Sequence, residues 1–335
     1  SVFSSIAVCV LIAFSIAGRC RSASCATNLR EKCPNACPYP RLPMTNAIRT
    51  PDEILIGLPD FPYEPHFREF DGLRLAHLDE GEGPPVWFMH GEPTWSFLWR
   101  KVFAPVVDAG FRAIVPDLPG FGRSDKPTDI RWYTYERHYD AMAALLDELD
   151  LRGATMVVHD WGGPIGLRLA VDQRERFDRL VILDTGLATG HWQMNDLWLA
   201  FRDFVRATED LPIGRVVRGG CHADPGKEVL AAYDAPYVNA ASKAGARAFP
   251  ELLPTGPDDP GAQTGRRLIA ALREDDRPTL SLWGAQDPVL PVELGRAFTA
   301  AIGRDPPEIV EDAGHYLQED KGEEIGRRIA EWLTS

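Results

Sequence analysis

The stretch VVHDWGGPIG, Val157 to Gly166, constrains this chain more than any other. An apolar run ends in Asp160 and Trp161, and Gly162 and Gly163 then open a helix-compatible segment. Adjacent glycines at such a junction let the backbone turn sharply and pass close to its neighbours. A side chain is thereby presented at the tip of a strand. In sheets of parallel strands the chemistry sits at those carboxyl ends. The residue presented is a carboxylate, and a tryptophan follows it.

The rest of the chain supplies the sheet. Short apolar runs predict strands over Leu73–Leu78 (an edge strand), Val86–His90, Arg112–Val115, Thr155–Val158, Leu180–Leu183, Thr279–Trp283 and Glu308–Val310. Helical spacing predicts helices over Phe97–Val107, Tyr135–Leu149, Pro164–Ala170 and Ile325–Leu333. Strands alternating with helices imply an α/β protein, with a mostly parallel central sheet and helices on both faces. The alternation breaks between about Gly186 and Arg266. There MNDLWLAFRDFVR and the Pro/Gly/Asp-rich run 254–261 predict an inserted helical cap. The expected division is core over 44–185, cap over 186–265 and core again over 266–335.

Composition sets outer limits. With 335 residues, 44% of them hydrophobic, the chain can bury a large core. Its formal net charge of −13 argues against a nucleic-acid partner. Residues 1–43 stand apart. Val2–Gly18 is apolar and shaped like a signal-peptide core, and five of the six cysteines (Cys9, Cys20, Cys25, Cys33, Cys37) fall in this extension. Two readings stay open: an export signal with a Cys-rich linker, or upstream sequence preceding a start at Met44. The expected location is cytoplasmic, or exported if residues 1–24 act as a signal. No stable membrane association of the remaining domain is expected. Cys221 alone leaves that domain without a disulfide framework and reads as a buried thiol. The scattered histidines offer no metal-ligand spacing, so neither metal nor cofactor is expected.

Four loops at predicted strand ends carry the unusual residues: HGEPTW (90–95), VHDWGG (158–163), GAQDP (284–288) and AGHYLQ (313–318). They place Asp160, Asp287 and His315 in the nucleophile, acid, histidine order of α/β-hydrolases. The elbow pattern asks for small residues two before and two after the nucleophile; Gly162 fits and Val158 does not. These loops, with the cap, resemble the haloalkane dehalogenase family from roughly Arg49 to the C-terminus. Glu92 in HGEP and the acid after the penultimate strand resemble the subfamily whose second halide donor comes from the cap.

That resemblance implies hydrolysis of a small apolar halogenated substrate to an alcohol and halide, and the residue types suit it. A carboxylate is already ionised at neutral pH and can displace halide from a saturated carbon without a base. The resulting alkyl ester can be hydrolysed, whereas a serine would be left as an ether. Asp160 would be the nucleophile, His315 the base that activates water, and Asp287 the acid that orients His315. Backbone N–H groups of Glu92 and Trp161 would form the oxyanion hole, and the Glu92 side chain would help hold the water. Indole N–H donates and does not accept. Trp161 and, from the cap, Trp198 are the expected halide donors, with Trp192 as runner-up. A monomer is expected.

Plainer readings compete. Asp160 could cap a helix, Asp287 could serve its turn, and His315 could be a surface residue. Trp161 and Trp198 could be packing, and Glu92 a structural hydrogen-bonder. Asp184, in ILDTG, is a rival acid. His90 is expected to brace its loop and His159 to be packed. Among functions, an epoxide hydrolase would share Asp160 and His315 but draw protons from cap tyrosines, with Tyr233 and Tyr237 as candidates. A fluoroacetate dehalogenase would need an arginine where Trp161 stands. A serine esterase lacks its serine. A non-catalytic binding protein of this fold would show a broken triad.

Overall fold

The structure is a computed structural model and describes residues 46–191, 194 and 196–335. The signal-like extension and Trp192 lie outside the described residues. In chain order the strands are β1 (Ala47–Ile48), β2 (His66–Phe70), β3 (Leu73–Glu80), β4 (Pro85–Met89), β5 (Arg112–Pro116), β6 (Lys126–Pro127), β7 (Ala154–His159), β8 (Phe177–Leu183), β9 (Thr279–Gly284) and β10 (Glu308–Val310). The α-helices are α1 (Arg100–Asp108), α2 (Tyr135–Glu148), α3 (Gly162–Asp172), α4 (Asp196–Ala207), α5 (Ile213–Gly220), α6 (Lys227–Asp234), α7 (Ala244–Leu252), α8 (Ala262–Arg273), α9 (Val292–Ala301) and α10 (Leu317–Thr334).

Eight strands form one sheet in the order β10-β9-β8-β7-β4-β5-β3-β2. From β10 to β5 every pair is parallel; β3 is antiparallel to both β5 and β2. This is the mostly parallel sheet expected from the alternation, in the α/β-hydrolase fold that the resemblance implies. The central β7, Ala-Thr-Met-Val-Val-His, is buried at every position, as a strand covered on both faces must be. From β4 to β5 the chain steps toward one edge, and from β5 to β7 toward the other. Right-handed crossovers therefore put α1 and α2 on opposite faces. Helix α10 packs with α1, while α3 packs with α2 and α8.

Two expectations need correcting. Leu73–Leu78 is not an edge strand: β3 runs to Glu80 and pairs on both sides, with β2 lying outside it. The edge was hidden because β2, His-Phe-Arg-Glu-Phe, is short and partly polar, as exposed edges tend to be. The first helix also starts late, because Ser96–Trp99 forms a tight 3-10 turn before α1. Between β8 and β9 the chain leaves the sheet for α4–α7, and α8 returns to pack on α3. Among the described residues no helix is long and apolar enough to cross a membrane.

Candidate active site

The β7–α3 junction is the elbow anticipated from VVHDWGG. Asp160 adopts a positive φ of 48°, a left-handed conformation that aspartate tolerates better than most residues. Glycine is required beside it. A Cβ on Gly162 would stand 2.2 Å from the Met89 carbonyl oxygen, and one on Gly91 would stand 2.1 Å from Asp160 Oδ1. The large Val158 is accommodated one helical turn on. A Cβ on Gly166 would lie 2.7 Å from Val158 Cγ1, so the missing side chain of α3 makes room for valine. Thr185 Oγ donates to the Asp160 carbonyl at 2.6 Å, and the Asp160 N–H donates to the Asp184 carbonyl at 3.2 Å.

The three residues singled out by order come together. His315 Nε2 lies 3.5 Å from Asp160 Oδ2, and His315 Nδ1 lies 2.9 Å from Asp287 Oδ2. The two oxygens of Asp287 divide its tasks. Oδ2 faces the imidazole, while Oδ1 accepts the N–H groups of Val289 and Leu290 at 2.6 and 2.9 Å. The turn reading and the triad reading are thus both satisfied by one side chain. Behind that loop, Trp283 Nε1 donates to the Leu290 carbonyl at 2.7 Å. A Cβ on Gly295 of α9 would stand 2.5 Å from that indole.

Charge follows the geometry. Burial opposes an ionised Asp160, but hydrogen bonding and attraction from His315, with a backbone hydrogen bond from Trp161, hold its pKa below the ordinary value. Burial also opposes an imidazolium at His315. The charge of Asp287 and hydrogen bonds to Asp160 and Asp287 outweigh it and hold that pKa well above the usual range. Glu92 behaves oppositely. Burial, and next the charge of Asp160, push its carboxyl well above the ordinary carboxylate range. Its Oε1 has no hydrogen-bond partner among the described residues.

The Glu92 N–H donates to Asp160 Oδ1 at 2.7 Å, and the Trp161 N–H is hydrogen-bonded to the same carboxylate. Two backbone donors therefore hold this carboxylate, that of Glu92 at Oδ1, while Oδ2 faces His315. These groups open onto a cavity of about 950 Å³, at the top of the size range of small-ligand sites. Trp161 and Trp198 both line it, with Phe201, Phe204 and Leu197 of α4 forming an apolar wall. The Trp161 ring packs edge-on against Phe249, centroids 4.9 Å apart. The Arg202 guanidinium lies over the Trp198 ring at 4.9 Å.

The rival residues are placed elsewhere. Asp184 is buried and accepts the Gly284 N–H at 3.0 Å; burial, then the charge of Asp287, push its carboxyl well above the ordinary range. No hydrogen bond joins it to His315 among the described residues. His90 braces two loops: Nδ1 donates to the Gly91 carbonyl at 2.9 Å, and Nε2 accepts the Leu118 N–H at 3.0 Å. Cys221 is a buried free thiol. Tyr233 donates to Glu319 at 2.5 Å and Tyr237 to the Pro93 carbonyl at 3.5 Å, and neither lines the cavity. Among the described residues no cluster of His, Cys, Asp or Glu is placed to hold a metal ion.

Two supporting roles escaped the sequence reading, although His159 is buried as expected. His159 Nε2 donates to the His315 carbonyl at 2.8 Å, fixing the loop that carries the imidazole. Burial lowers the His159 pKa to about 3, so its ring is neutral. Thr185 braces the elbow from the next strand. Each follows immediately on, or immediately precedes, a strand-end aspartate, which is the only signal either one carried.

The chain matches a family model described as alpha/beta hydrolase fold over residues 84–322. It is 41% identical over 299 residues to a haloalkane dehalogenase of Mycolicibacterium paratuberculosis, covering 86% of this chain and 98% of that protein. The tetrameric structure of a haloalkane dehalogenase from Paraglaciecola agarilytica NO2 superposes with a TM-score of 0.80 at 34% identity, covering 87% of this chain and 98% of that one. A cis-3-alkyl-4-alkyloxetan-2-one decarboxylase of Shewanella oneidensis is 33% identical over 295 residues, covering 82% of this chain and 89% of that protein.

Proposed function

Because the chain belongs to the haloalkane dehalogenase family of α/β-hydrolases, we propose that it hydrolyses haloalkanes to alcohols through an ester on Asp160. Asp160 Oδ2 attacks the carbon bearing the halogen, the carbon–halogen bond breaks, and halide leaves with the bonding pair. Oδ1, held by the Glu92 N–H on a carboxylate that the Trp161 N–H also contacts, becomes the ester carbonyl oxygen. The departing halide is received by the indole N–H groups of Trp161 and Trp198, both on the cavity wall. The place of Trp198 on the cavity wall supports membership of the subfamily that draws its second donor from the cap.

Ester formation removes the negative charge of Asp160. One of the two carboxylates that hold the His315 proton is then gone, and the imidazole pKa falls toward the range of a useful base. The imidazolium gives that proton up to solvent, the neutral His315 takes a proton from the attacking water, hydroxide adds to the ester carbonyl, and the oxyanion forms on Oδ1 beside the backbone donors. Collapse breaks the ester C–O bond, the departing oxygen takes the proton of the added hydroxyl and leaves as the alcohol, and the regenerated Asp160 carboxylate again faces a protonated His315. Asp287 keeps the ring oriented. The buried Glu92 carboxyl, whose Oε1 is unpartnered among the described residues, is positioned to hold the water. The observation that carries the reading is the ordered contact Asp160–His315–Asp287, whose first two members line the cavity. The proposed domain division is core 44–185, cap 186–265 and core 266–335, with α8 straddling the last boundary.

The test is bromide release from 1-bromobutane and 1,2-dibromoethane by the purified protein, with Asp160→Ala as control. Bromide from the parent and none from the variant supports the reading; diol from styrene oxide without bromide overturns it. A second reading has the Shewanella relative in its favour. The same carboxylate in a cavity of about 950 Å³ would meet a dialkyl oxetan-2-one, and release of carbon dioxide from such a lactone without bromide from any haloalkane selects that alternative. The expectation of a monomer is part of the proposal, tested by sedimentation because one structural relative is tetrameric.

A further inference from the structure

The loop that carries His315 is fastened to the cap by a carboxylate outside the triad. The N–H of Gly314, one residue before His315, donates to Asp320 Oδ2 at 2.9 Å. The N–H of His222, just past α5, donates to the same oxygen at 2.9 Å, and that of Ala223 to Oδ1 at 2.9 Å. One carboxylate thus takes three backbone donors from two segments, and no cation pairs with it among the described residues. The segments also interlock. The Tyr316 N–H donates to the Gly220 carbonyl at 3.4 Å. A Cβ on Gly314 would stand 2.3 Å from that carbonyl oxygen, and one on Gly220 would stand 2.5 Å from the Tyr316 ring. Gly219, Gly220, His315 and Tyr316 all line the cavity, so this seam forms part of its wall.

We propose that Asp320 is a positioning residue that, by gathering the N–H groups of Gly314, His222 and Ala223, sets the His315 imidazole against the Asp160 ester. The proposal rests on the dehalogenase reading above. It predicts an unequal effect on the two half-reactions. Alkylation of Asp160 needs no base, so a slack His315 loop leaves it near the parent rate. Hydrolysis needs His315 within reach of water and ester, and a displacement of about 1 Å there costs on the order of 100-fold.

Asp320→Asn is the informative change. An amide retains one acceptor oxygen, but in either orientation its NH₂ faces at least one backbone N–H. With 1-bromobutane, rapid mixing of Asp320→Asn should give a bromide burst of about one equivalent at near the parent rate. A slow phase should follow, reduced by about 10- to 100-fold, with butylated protein accumulating by intact mass. Asp320→Glu, which keeps both acceptors, should recover part of the slow phase. Equal loss from both half-reactions, or an unchanged slow phase, overturns the proposal. A second readout does not depend on activity. Amide hydrogen exchange at Gly314, His222 and Ala223 should accelerate together in Asp320→Asn, and unchanged protection at these three positions also overturns it. Absence of bromide from the parent would instead overturn the dehalogenase reading and leave the exchange result to decide this one.

Discussion

Asp287 Oδ2 stands 2.9 Å from His315 Nδ1 while Asp160 Oδ2 stands 3.5 Å from Nε2 of the same ring, so one imidazole is held between two carboxylates. In the proposed mechanism only one of those carboxylates, that of Asp160, disappears during turnover. Asp287→Asn therefore removes the permanent partner. Halide release in a single turnover should stay within a few-fold of the parent. Ester hydrolysis should slow by about 10²- to 10⁴-fold, as expected when an oriented histidine loses its acid. Rapid-quench analysis of bromide and alcohol separates the two steps; equal slowing of both would contradict the assignment.

The indoles test the leaving-group side. Replacing Trp161 or Trp198 by Phe removes an N–H donor to an anion, a loss of roughly 1.5–3 kcal/mol, or about 10- to 100-fold in the halide-forming step. Fluorescence quenching by bromide should weaken in the same variants. If Trp198→Phe behaves as the parent and Trp192→Phe does not, the cap donor is Trp192.

Glu92 predicts a pH dependence of stability. Its carboxyl pKa lies well above 4.5 in the folded protein because of burial and the nearby Asp160 charge. Folded protein keeps this proton after the unfolded chain has released it. Stability is therefore lost as pH rises above about 4.5, until the folded pKa is passed. Glu92→Gln has no such proton to lose. Its Tm relative to the parent should rise in thermal melts as pH climbs above about 4.5, levelling off once the folded pKa is passed, and a difference independent of pH would refute a raised Glu92 pKa. His315, whose pKa is raised, adds a contribution of the same sign in both proteins: stability present below 6.5 and lost as pH rises through its folded pKa.

Tyr233 separates packing from catalysis. Its hydroxyl donates to the buried Glu319, which also pairs with the buried Arg100. Tyr233→Phe removes a hydrogen bond to a charged group and should cost roughly 1.5–3 kcal/mol of stability. Its kcat on bromoalkanes should match the parent. A large loss of kcat with little change in Tm would return Tyr233 to the reacting centre, as an epoxide hydrolase would require.

What could be read from the sequence was whatever repeats locally or sits at a strand end. β7 and β9 announce themselves as apolar runs, and Asp160, Asp287 and His315 each follow such a run within a few residues. Asp160 is further marked by Gly162, which the backbone of β4 requires. β2 was missed because an exposed edge need not be apolar. His159 and Asp320 were missed for another reason. Their partners are backbone groups far off in sequence, the His315 carbonyl for one and His222 and Ala223 for the other, and no side-chain pattern encodes a backbone acceptor or donor. The Val158 departure from the elbow pattern became intelligible only with Gly166 beside it.

The central claim is a covalent ester on Asp160, and trapping it is the most direct measurement. His315→Phe removes the base and leaves the nucleophile, its oxyanion donors and both indoles in place. Incubated with 1-bromobutane, it should release one equivalent of bromide, gain the mass of one butyl group on the peptide containing Asp160, and form no further butanol. No bromide, a butyl group on another residue, or continued turnover would contradict the account.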